Sequence, residues 1–172
     1  MGWTLQGSDE IVVNAPPDRI WDILEDGPRL PEWMPIVKRK TGQREIMGAE
    51  RSCEVEFGSK AGRVVERCVE SVPRQRIAWR MEEDTFGFSR MLADIGFSFT
   101  LDPQDDGTTL LRNESYYRPK TLASRIMSAL MMKRKFHRVR ETALRNLKRL
   151  AEKDPLPARD QQHSTDLSVA AS

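Results

Sequence analysis

Long hydrophobic runs are absent from this chain of 172 residues. A membrane-spanning helix needs roughly 18 or more consecutive apolar residues, and no stretch of the sequence approaches that length. Residues 1–10 also lack the basic start and the apolar core of a secretory signal. We therefore expect a protein that neither spans a membrane nor is secreted, and we expect it in the cytoplasm.

Cysteine and histidine are scarce, with two residues of each type. Two cysteines without an export signal are typical of a reducing compartment. Neither His137 nor His163 has another His or Cys three or four positions further on, so the spacing of a zinc site is missing. No Gly-rich phosphate loop occurs either. We predict no metal site and no cofactor, and we interpret His137 as a partly exposed helix residue rather than a general base.

Cys53 and Cys68 lie on the two strands of a predicted hairpin. A turn centred between Lys60 and Ala61 places the two cysteines opposite each other, whereas a shift by one residue pairs Cys53 with Val69. In either register, two buried or half-buried thiols are favoured over a disulfide or a redox pair.

Charge of one sign is concentrated near the C-terminus, although the whole chain carries 28 basic and 26 acidic residues. Between Arg118 and Lys153 there are twelve Lys or Arg and only two acids, Glu141 and Glu152. A solvated outer helix face is the favoured interpretation of this basic segment. The alternatives are binding to an anionic membrane, to RNA or to the ribosome, since unrelieved positive charge attracts phosphate.

The first part of the chain predicts a strand over residues 3–13 followed by two short helices. Residues 14–18 begin a helix with Asn14 or Ala15 as the cap and a proline in the first turn. Residues 26–28 end it, and a second helix contains Leu30, Trp33 and Met34.

Alternating apolar and polar residues then predict an antiparallel meander of about six strands. Turn residues separate the alternating segments, as at residues 58–62, 73–75 and 103–107. The clearest strands cover residues 51–57, 63–72, 76–82, 95–101 and 108–117.

Residues 122–153 contain neither Gly nor Pro and therefore predict one helix. At 1.5 Å per residue, this helix would be about 45 Å long. Thr121 is its candidate cap. Residues 154–172 predict a disordered tail, so that one domain covers residues 1–153. Apolar residues recur along the helix at steps of three or four, at Ile126, Ala129, Met132, Phe136, Val139, Ala143, Leu147 and Leu150.

These elements predict an α+β fold. A sheet with one apolar face must bury that face, and the C-terminal helix is the only partner long enough to cover it. We expect a curved antiparallel sheet of about six or seven strands wrapped around this helix, with a space between them that is suited to a ligand.

Four segments carry a resemblance to a known superfamily: residues 12–24 (VVNAPPDRIWDIL), 30–34 (LPEWM), 69–80 (VESVPRQRIAWR) and 107–109 (GTT). In these the sequence resembles the START-like superfamily, specifically its polyketide cyclase/dehydrase and lipid-transport branch. The resemblance implies a helix-grip fold with an internal cavity for an apolar ligand. It does not imply one reaction, since similar proteins bind, carry or cyclise small molecules or assist other proteins.

The inward faces of the central strands and of the long helix supply the candidate ligand contacts. Core packing is the alternative interpretation of each residue, and the eight methionines suit an adaptable apolar wall. The candidates are Trp79, Met81, Phe97 and Phe99 on the strands, Met127 and Met131 on the helix, and Phe88 and Met91 on a flap over residues 83–94.

Polar candidates for catalysis lie on the last strand, where alternation separates two sets. Asn113, Ser115 and Tyr117 share one face, and Arg112, Glu114 and Tyr116 share the other. Both Leu110 and Leu111 are apolar, so the pattern leaves the inward set open. Asn113 and Tyr117 are slightly favoured as groups that would hold a ketone or enolate.

Three functions follow from this interpretation. The first is binding of an apolar or amphipathic small molecule without turnover. The second is an aromatase/cyclase or dehydratase acting on a polyketide-like chain, and the third is an interaction protein that uses its basic helix on RNA, ribosomes or anionic lipid. The oligomeric state is left without a prediction.

Overall fold

The computed structural model of the protein describes residues 3–42 and 46–153. Within these residues, seven antiparallel strands form one sheet in the order β1-β7-β6-β5-β4-β3-β2. The first strand therefore pairs with the last, and the others form a meander. The strands are β1 (Leu5–Val13), β2 (Val37–Gly42), β3 (Glu50–Phe57), β4 (Lys60–Val72), β5 (Arg76–Asp84), β6 (Leu92–Pro103) and β7 (Thr109–Pro119).

Two short helices follow β1, as predicted. Helix α1 (Pro17–Glu25) begins one residue after Pro16, which occupies the N-cap position instead of Asn14 or Ala15. A 3-10 turn (Gly27–Arg29) leads directly into α2 (Leu30–Trp33). The buried side chains of α1 and α2 close one end of the space between the sheet and the C-terminal helix; they are Ile20, Trp21, Ile23, Leu24, Leu30 and Trp33.

The predicted long helix is confirmed as a continuous element with three segments. These are α4 (Leu122–Met127), a π-helical turn (Ser128–Met132) and α5 (Lys133–Lys153). Thr121 caps α4 through a capping box, in which its hydroxyl accepts from the Ser124 backbone N–H at 3.1 Å. The α+β helix-grip architecture expected from the sequence is thus present.

The first two turns of this helix do not face the way the apolar stripe predicts. Ile126 and Ala129 are exposed, while Ser124 and Ser128 are buried. Ser124 is held by the capping box, and the Ser128 hydroxyl lies 2.8 Å from the Tyr117 hydroxyl on β7. These hydrogen bonds, together with the shift introduced by the π-helical turn, rotate the serines toward the sheet.

Neither predicted register of the β3–β4 hairpin is correct. Cys53 pairs with Val64, because the turn occupies only Gly58 and Ser59 and β4 already begins at Lys60. Gly58 adopts a positive φ of 68°, which a tight turn requires and glycine accommodates. Cys68 lies four residues beyond Val64 along β4, roughly 13 Å away, which is too far from Cys53 for a disulfide.

The main core lies between the inner face of the sheet and helices α1, α2 and α5. Trp33 of α2 and Phe99 of β6 meet edge to face, with ring centroids 5.4 Å apart. Leu144 and Leu147 of α5 are buried against the same cluster. The described part of the chain contains no helix that is long and apolar enough to cross a membrane. The tail predicted for residues 154–172 lies outside the described residues.

Candidate functional site

A cavity of about 120 Å³ separates α5 from the sheet beside this core. Strands β3 to β7 supply its floor, α5 its roof, and the chain between α2 and β2 one side. Its wall is mostly apolar, formed by Met34, Ile36, Val37, Val55, Phe57, Val64, Met81, Phe86, Phe88, Ile95, Phe97, Phe136 and Val139.

Four phenylalanines gather at one end of the cavity, which we call the aromatic end: Phe57, Phe86, Phe88 and Phe136. Phe57 contacts Phe88 with centroids 5.6 Å apart and Phe136 at 5.8 Å. Phe86 stacks on Phe88 at 5.4 Å. The rings come from the end of β3, the segment after β5 and the first turn of α5, so this end is built from separate elements in mutual contact.

Asp84 fixes the short helix α3 (Phe88–Met91), which lies within the predicted flap. Its carboxylate accepts from the backbone N–H groups of Phe88 and Ser89, both at 2.8 Å. Burial opposes ionisation of Asp84, but these hydrogen bonds outweigh it and lower the pKa. An ionised Asp84 therefore holds the start of α3, with Phe88 against the cavity.

A buried ion pair interrupts the apolar wall. Arg51 of β3 and Glu66 of β4 are register partners, and the Arg51 Nε donates to Glu66 Oε2 at 2.8 Å. Both residues are more than nine-tenths buried. The Arg51 guanidinium carbon also lies 3.9 Å from the ring centroid of Trp79, in cation–π contact. A buried pair of this kind contributes little to stability compared with apolar residues of similar volume.

Arg140 brings a second guanidinium to the cavity, from the α5 side. Its Nη1 donates to the Ser115 hydroxyl and its Nε to an Asp9 carboxylate oxygen, each at 2.6 Å. A Cβ added at Gly7 of β1 would lie 2.5 Å from the Arg140 Nη2. A side chain at that position would therefore require the guanidinium to shift from its hydrogen bonds to Asp9 and Ser115.

The polar residues of β7 complete the inner surface. The Tyr117 hydroxyl pairs with the Ser128 hydroxyl, and the Asn113 side-chain amide donates to the Ser98 carbonyl at 3.2 Å. Burial raises the pKa of the Tyr117 phenol and outweighs the opposite effects of Ser128 and Arg140. Tyr117 therefore stays protonated at neutral pH and can donate a hydrogen bond.

These contacts place Asn113, Ser115 and Tyr117 on the inner face of β7. On the outer face, Glu114 accepts from the Tyr116 hydroxyl at 2.8 Å and forms an ion pair with Arg76. Burial opposes ionisation of Glu114, but these hydrogen bonds dominate and lower its pKa. Arg112 pairs with Glu10 of β1, also on the outside.

The predicted ligand contacts fall into four groups in the structure. Met81, Phe88 and Phe97 line the cavity, as do Asn113 and Tyr117. Trp79 and Phe99 belong to the packed core beside it. Met91 and Met127 pack around a smaller cluster of Leu92, Tyr117 and Met132. Met131 differs from the expectation, because its side chain is exposed whereas that of its neighbour Met132 is buried.

The sequence reasoning missed the charged residues Arg51, Glu66 and Arg140. For Arg51 and Glu66, the alternation of inward and outward residues along β3 and β4 already indicates an inward position. Arg51 has the same parity as Cys53 and Val55, and Glu66 has the same parity as Val64 and Cys68. Arg140 lies one helical turn after Phe136 and so falls within the inward stripe of α5.

An antiparallel sheet wrapped around a C-terminal helix, with an apolar cavity between them, defines a helix-grip protein. The sequence profile of the family described as polyketide cyclase / dehydrase and lipid transport matches residues 4–152. The chain belongs to this family. No curated protein matches it by sequence.

Solved structures share the fold at low sequence identity. A START superfamily protein from Mycobacterium smegmatis is 16% identical with a TM-score of 0.69, covering 87% of this chain and 98% of its own. The Zhui aromatase/cyclase from Streptomyces sp. R1128 has the same identity and TM-score, covering 87% and 94%. A truncated norcoclaurine synthase from Thalictrum flavum is 13% identical with a TM-score of 0.68, covering 90% and 98%.

Proposed function

We propose that the protein binds an apolar or amphipathic small molecule in the cavity between its sheet and α5. The supporting observation is an apolar cavity whose wall contains the buried pair Arg51–Glu66. Apolar residues would serve stability equally well at these positions. A few polar groups placed in an apolar cavity are typical of sites that orient a ligand.

The cavity volume favours a compact ligand. About 120 Å³ is close to the roughly 150 Å³ of a dry engineered protein cavity that takes up benzene. A body of about one ring fits the site without displacing side chains. A longer chain would have to move the rings of the aromatic end, so long-chain lipids are the weaker candidates.

The polar groups favour a ligand with acceptor oxygens. Arg51, Arg140 and Tyr117 all lie at the wall and carry N–H or O–H groups, which a ligand would share with their present partners. A carbonyl, carboxylate or phenolate oxygen would meet these donors, and the remainder of the ligand would contact Met81, Phe97 and the aromatic end. We therefore expect an aromatic or cyclic ketone or acid as the preferred ligand class.

Solvent extraction of the purified protein, followed by mass spectrometry, tests this proposal. A stoichiometric apolar compound should co-purify with the unaltered protein and be absent from Val64→Phe, which fills the cavity from β4. Val65→Phe is the matched control, because Val65 is the next residue on the same strand and is not part of the wall. A compound retained equally by both variants would contradict binding in the cavity.

Catalysis is the second candidate function, favoured by the protonated Tyr117 phenol in the cavity wall. Such a donor can stabilise an enolate oxygen as negative charge develops on it. Tyr117→Phe would then abolish conversion of a poly-β-ketone substrate while binding persists. Chromatography with mass spectrometry measures the conversion. Binding alone predicts no conversion by the unaltered protein, and that result would exclude the catalytic proposal.

A further inference from the structure

The outward face of α4 and of the π-helical turn is apolar. Leu122 is 72% exposed and Leu130 is 73% exposed, and Ile126 and Met131 are each more than half exposed. Leu122, Ile126 and Leu130 are spaced four residues apart, so they form one stripe along the helix. We call this stripe, with Met131, the outer apolar face. A continuous exposed apolar face of this kind marks an interaction surface.

Positive charge surrounds the outer apolar face. Residues 118–140 contain eight Lys or Arg and no Asp or Glu. Arg125, Lys133 and Arg134 are exposed beside the stripe. Within residues 3–42 and 46–153, no carboxylate lies at ion-pair distance from these three side chains, whereas Arg118 pairs with Asp94 and Arg140 with Asp9.

The outer apolar face adjoins the aromatic end of the cavity. Lys120, just before α4, donates from its Nζ to the Ser89 carbonyl of α3 at 2.6 Å. Just beyond the π-helical turn, the Lys135 Nζ lies 5.5 Å from the Phe57 ring centroid. Both ends of the stripe are therefore anchored to the elements that carry Phe57 and Phe88.

From this combination we infer that α4 and the π-helical turn dock onto an anionic lipid surface. A short helix with apolar residues on one side and Lys or Arg along its borders lies in the plane of a membrane interface. The apolar side chains enter the acyl boundary while the cations contact lipid phosphates. This face is distinct from the cavity, and docking would bring the aromatic end close to the membrane surface.

Vesicle flotation with the full chain tests the inference. The protein should float with vesicles of phosphatidylcholine and phosphatidylserine and not with phosphatidylcholine alone, and rising salt should weaken the binding only partly. Ile126→Ser/Leu130→Ser should lower the partition about tenfold or more, since it removes two inserted side chains. Val12→Ser is the matched control, because Val12 is 50% exposed on β1, away from this face.

A second measurement reports insertion directly. Both native thiols are buried, so a thiol-reactive, polarity-sensitive fluorophore should label the variant Leu130→Cys at position 130. The emission of the fluorophore should shift to shorter wavelength when anionic vesicles are added. Leu5→Cys, at a position of β1 that is 51% exposed, should show no shift.

Four results would overturn the inference. The first is that the protein does not float with any vesicle, and the second is that the double serine variant floats as well as the unaltered protein. The third is that the protein binds RNA and not vesicles, with the double variant binding RNA equally well. The fourth is that the unaltered protein sediments as a dimer that dissociates in the double variant. Binding of a small ketone in solution should be the same for the unaltered protein and the double variant. Failure of docking is therefore distinguishable from failure of the cavity to bind.

Discussion

Arg51 and Glu66 face each other across the neighbouring strands β3 and β4 and form a 2.8 Å ion pair in the wall of an otherwise apolar cavity. The Arg51 guanidinium is also in contact with the Trp79 ring. The cavity wall is thereby polar at one place, and the packed core beside it is linked to the cavity through the same side chain.

Removing one partner of this pair should be far more damaging than removing both. Arg51→Met leaves the Glu66 carboxylate buried without its charge partner and should lower the free energy of unfolding by about 3–5 kcal/mol. The double variant Arg51→Met/Glu66→Leu should recover most of that loss. Urea unfolding of the three proteins measures both effects, and a double variant as unstable as the single one would refute this account of the pair.

Gly7→Ala should destabilise the fold by displacing Arg140. The added Cβ would lie 2.5 Å from the guanidinium nitrogen, so the guanidinium must shift from Asp9 and Ser115, and weakening hydrogen bonds of a charged group costs about 1.5–3 kcal/mol. Ser8→Ala is the matched control on the same strand, since Ser8 is exposed and its substitution should change little. Thermal unfolding at fixed pH compares the two variants. Equal stability of Gly7→Ala and the unaltered protein would show that Arg140 does not need this space.

Glu114 should make the fold sensitive to acid. Its pKa is lowered in the folded state, so its stabilising effect is complete above the ordinary glutamate pKa of about 4.3 and is lost as the pH falls through the folded value. Glu114→Gln should cost about 1–3 kcal/mol at pH ~7, because it weakens hydrogen bonds to a charged group. The cost should shrink in acid. Urea unfolding across the acid range would contradict this if the cost stayed constant.

Tyr117 should act in the opposite pH range. Burial raises its pKa above the ordinary value of 10.0, so its contribution is complete below that value and is lost as the pH rises through the folded one. Ultraviolet titration of the phenols should show Tyr117 ionising late, with the late step missing in Tyr117→Phe. An ordinary pKa for Tyr117 would argue against its burial beside Ser128.

Most of the fold could be predicted from alternation and helical periodicity, and the exceptions have local causes. Strand β2 has no clear alternation because it lies at the sheet edge and buries only Val37. The hairpin register depended on whether the turn used two residues or more, which Gly58 and Ser59 decide in the folded chain. The reversed face of α4 depends on hydrogen bonds of Ser124 and Ser128 that hydrophobic periodicity does not register.

The candidate site was less predictable than the fold. The pattern identified inward positions but did not distinguish the solid core around Phe99 from the cavity around Phe97, although both residues lie on β6. That difference depends on how closely α2 and α5 approach each part of the sheet. The alternation of β3 and β4 was sufficient to predict that Arg51 and Glu66 point inward. The position of Arg140 over Gly7, in contrast, depends on tertiary packing.

Calorimetric titration with a single-ring aromatic ketone such as acetophenone tests the central claim most directly. The unaltered protein and Val65→Phe should bind the ketone alike, and Val64→Phe should bind it at least about tenfold more weakly, because the new ring occupies the cavity. Equal binding by Val64→Phe and the unaltered protein would contradict the assignment of the cavity as the ligand site.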